Sequence, residues 1–310
     1  MKPLISVRVM IYRNFENAER AVKSIAMQDY PRIEVILSDD CSDNLSLQDM
    51  QQLADKYRDK FENIIVNRNP QNYGTVKHEN IVNGLSSGDI FCELGSDDLF
   101  YGKDTLSRAV EFFEKTDYLI FTSKRLREVG NKRITVLPLP TVCKMIEYDQ
   151  EKLRKLTFRR YNYVSMMGTF YKREVFEKNG GFVEDFRLIE DFSLYVKFML
   201  NKEPIGFCDM VSCVHTGGGV SGRLFSNPVL REDNKSINDI LLYQSRDKLD
   251  WYTRRLVMTK YNLSRNKSIL YRMMHFDVLL YMIYVKVLKA ARTIVIQLLS
   301  KASEKYGVEW

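Results

Sequence analysis

Residues 33–42 read IEVILSDDCS, and the fold follows most directly from this segment. Its first five residues form a short, largely apolar and β-branched run that is typical of a buried strand, and the aspartates Asp39 and Asp40 follow. Residues 90–98 read IFCELGSDD, which repeats the arrangement and ends in Asp97 and Asp98. Ligands collect beyond the carboxyl ends of parallel strands, so we expect both acidic pairs at one edge of a sheet.

Similar strand-like runs lie on either side of these segments, and each is separated from the next by a stretch of helix length. They are Leu4 to Ile11, Ile64 to Val66 and Tyr118 to Thr122. After the first run, apolar residues recur at helical spacing from Ala18 to Ala26. This alternation predicts an α/β fold whose sheet is mostly parallel and flanked by helices.

Composition and charge narrow the class of protein. The chain has 310 residues and is 45% hydrophobic, which suffices for one large core or a core with an appendage. The five cysteines are scattered and the N-terminal residues lack a signal-peptide pattern, so we expect reduced thiols and a cytoplasmic location. Residues 251–310 carry a net charge of +8 and residues 1–250 carry −1. Because the body of the chain is nearly neutral, we expect no nucleic-acid partner.

The acidic pairs are the candidates for chemistry. The adjacent carboxylates of Asp97 and Asp98 repel each other unless a cation or several hydrogen-bond donors neutralise them. A divalent cation that also holds substrate phosphates explains such a pair, and a turn or helix cap is the structural alternative. A third pair, Glu190 and Asp191, begins a predicted helix, where a favourable interaction with the helix dipole is the alternative explanation.

Taken together, these segments resemble family 2 glycosyltransferases over about the first two-thirds of the chain. The motifs that carry the resemblance are Ser6 to Tyr12, Gln28-Asp29-Tyr30-Pro31, Ile36 to Ser42, Asn72-Tyr73-Gly74, Asn80, Gly88-Asp89-Ile90, Ser96-Asp97-Asp98 and Gly181 to Asp191. The resemblance implies a GT-A fold, with a mixed, mostly parallel, Rossmann-like sheet. It also implies a nucleotide-sugar donor, most often a UDP-sugar, a bound Mn²⁺ or Mg²⁺ ion, and inversion at the anomeric carbon.

The resemblance assigns donor-binding roles to four residues. Asp40 is expected to bind the nucleotide base, and Tyr12 and Arg13 are expected to line the same pocket. The helix that carries Asn80 often has an arginine beside this asparagine in the family, whereas this chain has Glu79. We therefore expect Lys77 to make the phosphate contact instead.

The resemblance also assigns the metal site and the base. Asp98 is expected to coordinate the metal, with Asp97 beside it as a ribose contact or second ligand. His215 is the candidate third ligand, and a simple turn residue before the glycines at 217–219 is the alternative reading. Gly95 stands where many members carry a further aspartate. Asp191 is expected to be the catalytic base.

The chain divides into two predicted parts. Residues 1–225 form the catalytic domain, with a nucleotide-sugar half at about 1–100 and an acceptor half at about 101–225. Residues 226–310 form a helical, basic, amphipathic extension. Its uncharged runs between Ile269 and Leu299 are too short to span a bilayer. Its apolar face therefore packs on the catalytic domain, on a second copy in a homodimer, or on an anionic membrane surface.

The sequence thus predicts an enzyme that moves a single sugar from a nucleotide-sugar donor to a hydroxyl acceptor. The acceptor is expected to be a saccharide or lipid-linked saccharide in surface polysaccharide synthesis, with the protein peripheral to the inner face of the cell membrane. The alternative is a non-catalytic sugar-nucleotide or membrane-binding relative with the same fold.

Overall fold

The computed structural model describes residues 1–128, 133–216, 227–265 and 268–306. Within these residues, ten strands form one mixed sheet. The strands are β1 (Ile5–Ile11), β2 (Ile33–Asp39), β3 (Asn63–Arg68), β4 (Ile90–Gly95), β5 (Leu99–Phe100), β6 (Ile120–Glu128), β7 (Arg133–Leu137), β8 (Thr169–Lys172), β9 (Ile205–His215) and β10 (Lys301–Ala302). All five strands predicted from the sequence are present.

The sheet has a parallel half and a mixed half. Its order is β10-β7-β6-β8-β4-β1-β2-β3, and β9 pairs with both β5 and β6. The four strands β4-β1-β2-β3 are parallel to one another. In the other half, β8 pairs antiparallel with β4 and β6, whereas β9 runs parallel to β6. The predicted α/β class with a mixed, mostly parallel sheet is confirmed.

Helices cover both faces of the sheet. They are α1 (Ala18–Ala26), α2 (Leu47–Tyr57), α3 (Thr75–Leu85), α4 (Thr105–Lys115), α5 (Pro140–Tyr148), α6 (Gln150–Arg159), α7 (Glu174–Asn179), α8 (Glu190–Leu200), α9 (Pro228–Ile237), α10 (Trp251–Arg265), α11 (Ile269–Met274) and α12 (Phe276–Leu299). Every residue of β2 is buried, as expected for a central strand covered on both faces. The Ser46 hydroxyl and the Asp49 carboxylate form a capping box that fixes the start of α2.

A charged group lies inside the core of the parallel half. The guanidinium of Arg8 on β1 is 3.2 Å from the carboxylate of Glu79 on α3, and the two side chains are 1% and 0% exposed. Arg8 also lies over the ring of Phe91, 4.9 Å from its centroid. Burial, and then repulsion by neighbouring carboxylates, raises the pKa of both Glu93 and Glu190 well above the usual range. Arg8 is therefore the cation that neutralises Glu79 in a carboxylate-rich part of the core.

The C-terminal extension is helical and returns to the sheet. An ion pair of 2.9 Å joins Arg255 on α10 to Asp277 at the start of α12. After α12, the short strand β10 pairs antiparallel with β7. The domain boundary predicted at residue 225 falls outside the described residues and stays a prediction. None of the described helices combines the length and apolar character needed to cross a membrane.

The apolar side of α11 and α12 faces outward. Val278 and Ile296 are buried, but thirteen large apolar side chains are 40–77% exposed. We call these thirteen the apolar tail face: Ile269, Leu270, Met273, Met274, Phe276, Leu280, Ile283, Tyr284, Val287, Ile294, Val295, Leu298 and Leu299. Packing on the rest of the chain, one of the three predicted alternatives, thus accounts for buried residues such as Val278 and Ile296 and leaves the apolar tail face uncovered.

Replacing Arg8 by methionine tests the buried ion pair. The variant removes the charge while retaining much of the volume, and it leaves Glu79 buried without its cation. We expect the Arg8→Met substitution to lower the free energy of unfolding by about 3–5 kcal/mol in urea denaturation. The matched control is Arg32→Met, which removes a partly exposed pair with Glu62 and is expected to cost about 0–1 kcal/mol. Equal losses in the two variants would contradict this interpretation.

Candidate active site

The register of the parallel strands brings the predicted site residues to one edge of the sheet. Ile11 at the end of β1 pairs with Asp39 at the end of β2, and Met10 pairs with Gly95 at the end of β4. The backbone then stays connected beyond the strands, because the N–H of Asp40 donates to the carbonyl of Ile11 at 3.0 Å. Tyr12, Arg13, Asp40, Asp97 and Asp98 follow directly from these ends. The predicted convergence of the two acidic pairs is confirmed.

Asp40 organises the loop that precedes α3. Its carboxylate is 3% exposed and accepts hydrogen bonds from the side chain of Asn69 and from the backbone N–H groups of Tyr73 and Gly74, at 2.9–3.0 Å. Gly74 has a φ of +82°, in the region that favours glycine. Because the Asp40 carboxylate accepts three hydrogen bonds within the protein, it fixes the loop that forms one wall of the site.

Tyr12 and Arg13 form the open side of the same edge. Tyr12 is 41% exposed, and the Arg13 guanidinium lies 5.0 Å from the centroid of its ring. Arg13 has a φ of +58°, and its backbone N–H donates to the hydroxyl of Ser42 at 2.8 Å. An ion pair of 2.9 Å with the exposed carboxylate of Asp43 holds its guanidinium. These contacts present an aromatic ring and a cation to solvent.

Lys77 and Glu79 point in different directions from α3. Lys77 is exposed, and its ammonium lies 4.4 Å from the ring centroid of Tyr73, in the loop that Asp40 organises. Glu79 is fully buried against Arg8. The glutamate that replaces the expected arginine therefore serves the core, and Lys77 is the cation that remains on the site side.

Asp97 and Asp98 meet the end of β9. The Nδ1 of His215 lies 3.1 and 3.0 Å from the two carboxylate oxygens of Asp98. The backbone N–H of Thr216 donates to Asp98 at 3.0 Å, and its hydroxyl donates to Asp97 at 2.6 Å. The glycines at 217–219 lie outside the described residues. His215 is thus held against the principal predicted metal ligand.

The absence of a side chain at Gly95 makes room for both carboxylates. A Cβ at this position would lie 3.1 Å from an oxygen of Asp98 and 3.2 Å from an oxygen of Asp97. Among the described residues, no three His, Cys, Asp or Glu side chains are close enough to hold one ion. Mg²⁺ in particular is commonly bound by one or two carboxylates together with substrate phosphates, so this donor set fits a hard divalent cation completed by the substrate.

Asp191 begins α8, as predicted, and is partly buried. Its carboxylate accepts from the backbone N–H groups of Phe192 at 2.5 Å and Met166 at 3.4 Å. Burial raises the pKa of Asp191 to about 6, although these two N–H groups, the charge of Arg125 and the side chain of Asn162 favour the ionised form. A carboxylate with this pKa is ionised at neutral pH and remains basic enough to accept a proton.

The sequence reasoning did not assign roles to Arg125 or Asn162, which both act on Asp191. The strand predicted to end at Thr122 continues to Glu128, and Arg125 pairs in register with Cys213, two residues before His215. Extending the alternation of β6 beyond Thr122 would have placed Arg125 on the buried side. Asn162 lies in an irregular segment, where no periodicity indicates which way a side chain points.

Comparisons with known proteins agree with this geometry. An uncharacterized glycosyltransferase from Haemophilus influenzae is 27% identical over 135 residues, which are 44% of this chain and 40% of that protein. The Staphylococcus aureus poly(ribitol-phosphate) beta-N-acetylglucosaminyltransferase TarS is 29% identical over 129 residues, which are 40% of this chain and 22% of TarS. The match thus spans less than half the length of either relative.

Solved structures show the same fold at lower identity. The structure of S. aureus TarS 1–349 in complex with UDP-GlcNAc has a TM-score of 0.61 at 20% identity and covers 83% of this chain and 71% of that one. The mannosyltransferase PcManGT from Pyrobaculum calidifontis, in complex with GDP-Man and Mn²⁺, has a TM-score of 0.54 at 16% identity and covers 93% of this chain and 87% of that one. The predicted GT-A fold is therefore confirmed.

The family assignment rests on more than half of the chain. The model of the glycosyl transferase family 2 matches residues 6–180, a range that includes β1, β2, β4 and the acidic pairs at their ends. The resemblance predicted from the motifs is thereby confirmed, and the chain belongs to glycosyl transferase family 2.

Proposed function

We propose that this protein transfers a single sugar from a nucleoside-diphosphate sugar to a hydroxyl acceptor. The observation that carries the proposal is the pairing, in a family 2 chain, of an acidic cluster that suits a divalent cation with a separate carboxylate, Asp191, whose pKa is about 6. The complex of TarS with UDP-GlcNAc and the repeated matches to TarS favour a UDP-sugar as donor. GDP-mannose, which PcManGT binds, is the second donor class to test.

The proposed binding site of the nucleotide-sugar donor is the edge formed by β1, β2 and α3. Tyr12 has an exposed ring on which the nucleotide base could stack, and Arg13 lies beside this ring. Asp40 supports the wall of the pocket and is the proposed contact of the nucleotide base. Lys77, which is exposed beside Tyr73, is the proposed contact of a donor phosphate. The donor would thus lie across the carboxyl ends of the parallel strands, the usual ligand position in such sheets.

Asp98 would hold the Mn²⁺ or Mg²⁺ ion with Asp97 beside it, and His215, the predicted third ligand, would orient the Asp98 carboxylate. A divalent cation bound there neutralises the negative charge that develops on the leaving diphosphate. Asp97 and Asp98 are placed by the turn after β4, and Thr216 orients both carboxylates through its N–H and hydroxyl groups. The protein therefore fixes the carboxylates before the donor arrives.

Asp191 is the proposed catalytic base. It would accept the proton of the acceptor hydroxyl while that oxygen bonds to the anomeric carbon and the bond from this carbon to the diphosphate oxygen breaks. One in-line displacement of this kind inverts the configuration and needs no second nucleophilic carboxylate. Burial, followed by the charges of Asp191 and Glu79, raises the pKa of neighbouring Glu190 well above its usual range, so Asp191 is the proposed base of the two.

We further propose that the apolar tail face binds the surface of an anionic membrane and brings the catalytic edge near a lipid-linked saccharide acceptor. The face extends along α12, a helix of 24 residues, or about 36 Å. The exposed cations Arg272 and Lys286 lie on the same two helices and suit anionic headgroups. A homodimer formed through this face is the competing outcome.

The donor and metal are tested with a panel of UDP-, GDP- and dTDP-sugars in the presence and absence of Mn²⁺. We expect one donor to raise the melting temperature and to be hydrolysed or transferred only with metal. The Asp98→Asn substitution is expected to reduce turnover roughly a hundredfold or more, because the leaving group loses its charge stabilisation. The control Asp59→Asn, at an exposed carboxylate paired with Lys60, should leave turnover unchanged. No response to any sugar nucleotide would instead favour a non-catalytic relative.

The role of Asp191 predicts a specific pH dependence. The carboxylate must be deprotonated to act as a base, and its pKa is about 6, so kcat/KM should fall as the pH drops through about 6 and level off above it. Asp191→Asn should reduce kcat by about 10²–10⁴-fold while donor-induced thermal stabilisation persists. A profile that stays flat between about pH 5 and pH 8 would rule out Asp191 as the base.

Vesicle flotation tests the apolar tail face. We expect binding to phosphatidylglycerol-containing vesicles to weaken roughly tenfold or more in the double variant Leu280→Glu, Val287→Glu, which places charges in the buried layer of the contact. The matched control is Leu47→Glu, Tyr148→Glu, which alters two exposed apolar residues outside the tail. Unchanged flotation would refute membrane binding, and a concentration-dependent dimer that the tail variant abolishes would establish the homodimer instead.

A further inference from the structure

Five basic side chains gather beside Asp191 from three elements of the fold. Arg125 and Arg127 lie on β6, Lys260 lies on α10, and Lys289 and Arg292 lie on α12. We call them the cationic cluster. They belong to the acceptor half and the C-terminal extension, and they are separate from the residues proposed above to bind the donor or the metal.

Two of these side chains, Lys289 and Arg292, face the ring of Tyr161. The ammonium of Lys289 lies 5.6 Å and the guanidinium of Arg292 lies 5.3 Å from the ring centroid of Tyr161. Residues two apart on a strand share a face, so Arg125 and Arg127 project from the same side of β6. The helix α12 contacts β7, the neighbour of β6 in the sheet. Burial, followed by the positive charge of nearby Arg292, lowers the pKa of Arg127, and both also contribute to the lowered pKa of Arg125.

The cluster lacks carboxylate partners. None of the ion pairs formed by the described residues includes any of its five members. Arg125 is only 9% exposed, and its Nε has no hydrogen-bond partner. Burial, followed by repulsion from neighbouring cations, lowers the pKa of Arg125 to about 10 and that of Lys260 to about 8. A buried donor without an acceptor is costly, and so is a group of cations opposed, among the described residues, only by the more distant charge of Asp191. A bound anion relieves both costs.

The cluster adjoins the catalytic base on the acceptor side. Arg125 is the member whose charge acts on Asp191, and Asn162, the neighbour of Tyr161, also acts on that carboxylate. Tyr161 and Tyr163 lie with ring centroids 4.6 Å apart, and Arg160 extends the surface to Tyr281 and Tyr284 on α12. Cations and aromatic rings of this kind suit a ligand that combines phosphate with a sugar or polyol.

We propose that the cationic cluster binds a phosphate group of the acceptor, so that the acceptor is a phosphate-bearing saccharide or polyol rather than a neutral glycan. This inference rests on the proposed transfer reaction. The phosphate neutralises the cluster and accepts the unused hydrogen bond of Arg125, and the bound acceptor then presents its hydroxyl to Asp191. The C-terminal extension is consequently part of the acceptor site, because two of the five cations come from α12.

Isothermal titration of the full chain with inorganic tripolyphosphate tests the cluster directly. Lys289→Gln, Arg292→Gln is compared with the control Lys144→Gln, Lys152→Gln, which removes the same charge from two exposed lysines on α5 and α6 that have no proposed role. Binding should weaken roughly ten- to hundredfold in the cluster variant, since each charge-assisted hydrogen bond contributes substantially. It should change by no more than about twofold in the control. Because the cluster variant relieves repulsion, its melting temperature should not fall.

Two further titrations distinguish the source of the phosphate. UDP with Mn²⁺ should bind the cluster variant and the wild type equally, and phosphatidylglycerol vesicles should bind both equally. A parallel loss of UDP affinity would assign the cluster to the donor diphosphate, and a parallel loss of vesicle binding would assign it to lipid headgroups. Either result, or equal tripolyphosphate affinity in all three proteins, overturns the proposal. Failure of every sugar nucleotide to bind would instead contradict the proposed function. The tripolyphosphate affinities of the three proteins would still test whether the cluster binds phosphate.

Discussion

The parallel pairing of β1 with β2 on one side and β4 on the other is the constraint on which the rest of the structure depends. Because the three strands run in register, the residues that follow them emerge at one edge and within reach of one ligand. The same pairing buries Arg8 at the centre of β1 and requires Glu79 on α3 to neutralise it. Strand register thus determines both the position of the acidic residues and the electrostatics beneath them.

The site divides according to which part of the sheet supplies it. The parallel half supplies Asp40, Asp97 and Asp98, and its geometry follows from strand ends and short turns. The mixed half supplies Arg125 from β6 and His215 from β9, two strands that run parallel to each other but reach the site from a different region of sequence. The segment before Asp191 contacts the parallel half, since the carbonyl of Arg187, just before α8, accepts from the N–H of Val76 at the start of α3.

The strands of the parallel half were predicted from the sequence, whereas of the mixed half only β6 was predicted as a strand. Apolar runs that end in aspartates are local patterns that can be recognised in the sequence. An aspartate directly after a buried strand must lie at the end of that strand, so its approximate position follows. The antiparallel pairing of β8 with β4 and the return of β10 to β7 join residues more than fifty positions apart, which no local pattern encodes. No role of Glu79 was predicted from the sequence for the same reason, because its partner Arg8 lies 71 residues away. The outward orientation of the apolar tail face likewise depends on how the whole extension docks.

That extension is fastened at both ends. The ion pair of Asp277 with Arg255 holds the start of α12, and the pairing of β10 with β7 holds its end to the edge of the sheet. A helix attached at both ends in this way has a fixed orientation relative to the sheet. If the apolar tail face binds a surface as proposed, this attachment would hold the catalytic edge at one height and one tilt above that surface. The distance between an acceptor's reactive hydroxyl and the surface would then contribute to acceptor selection.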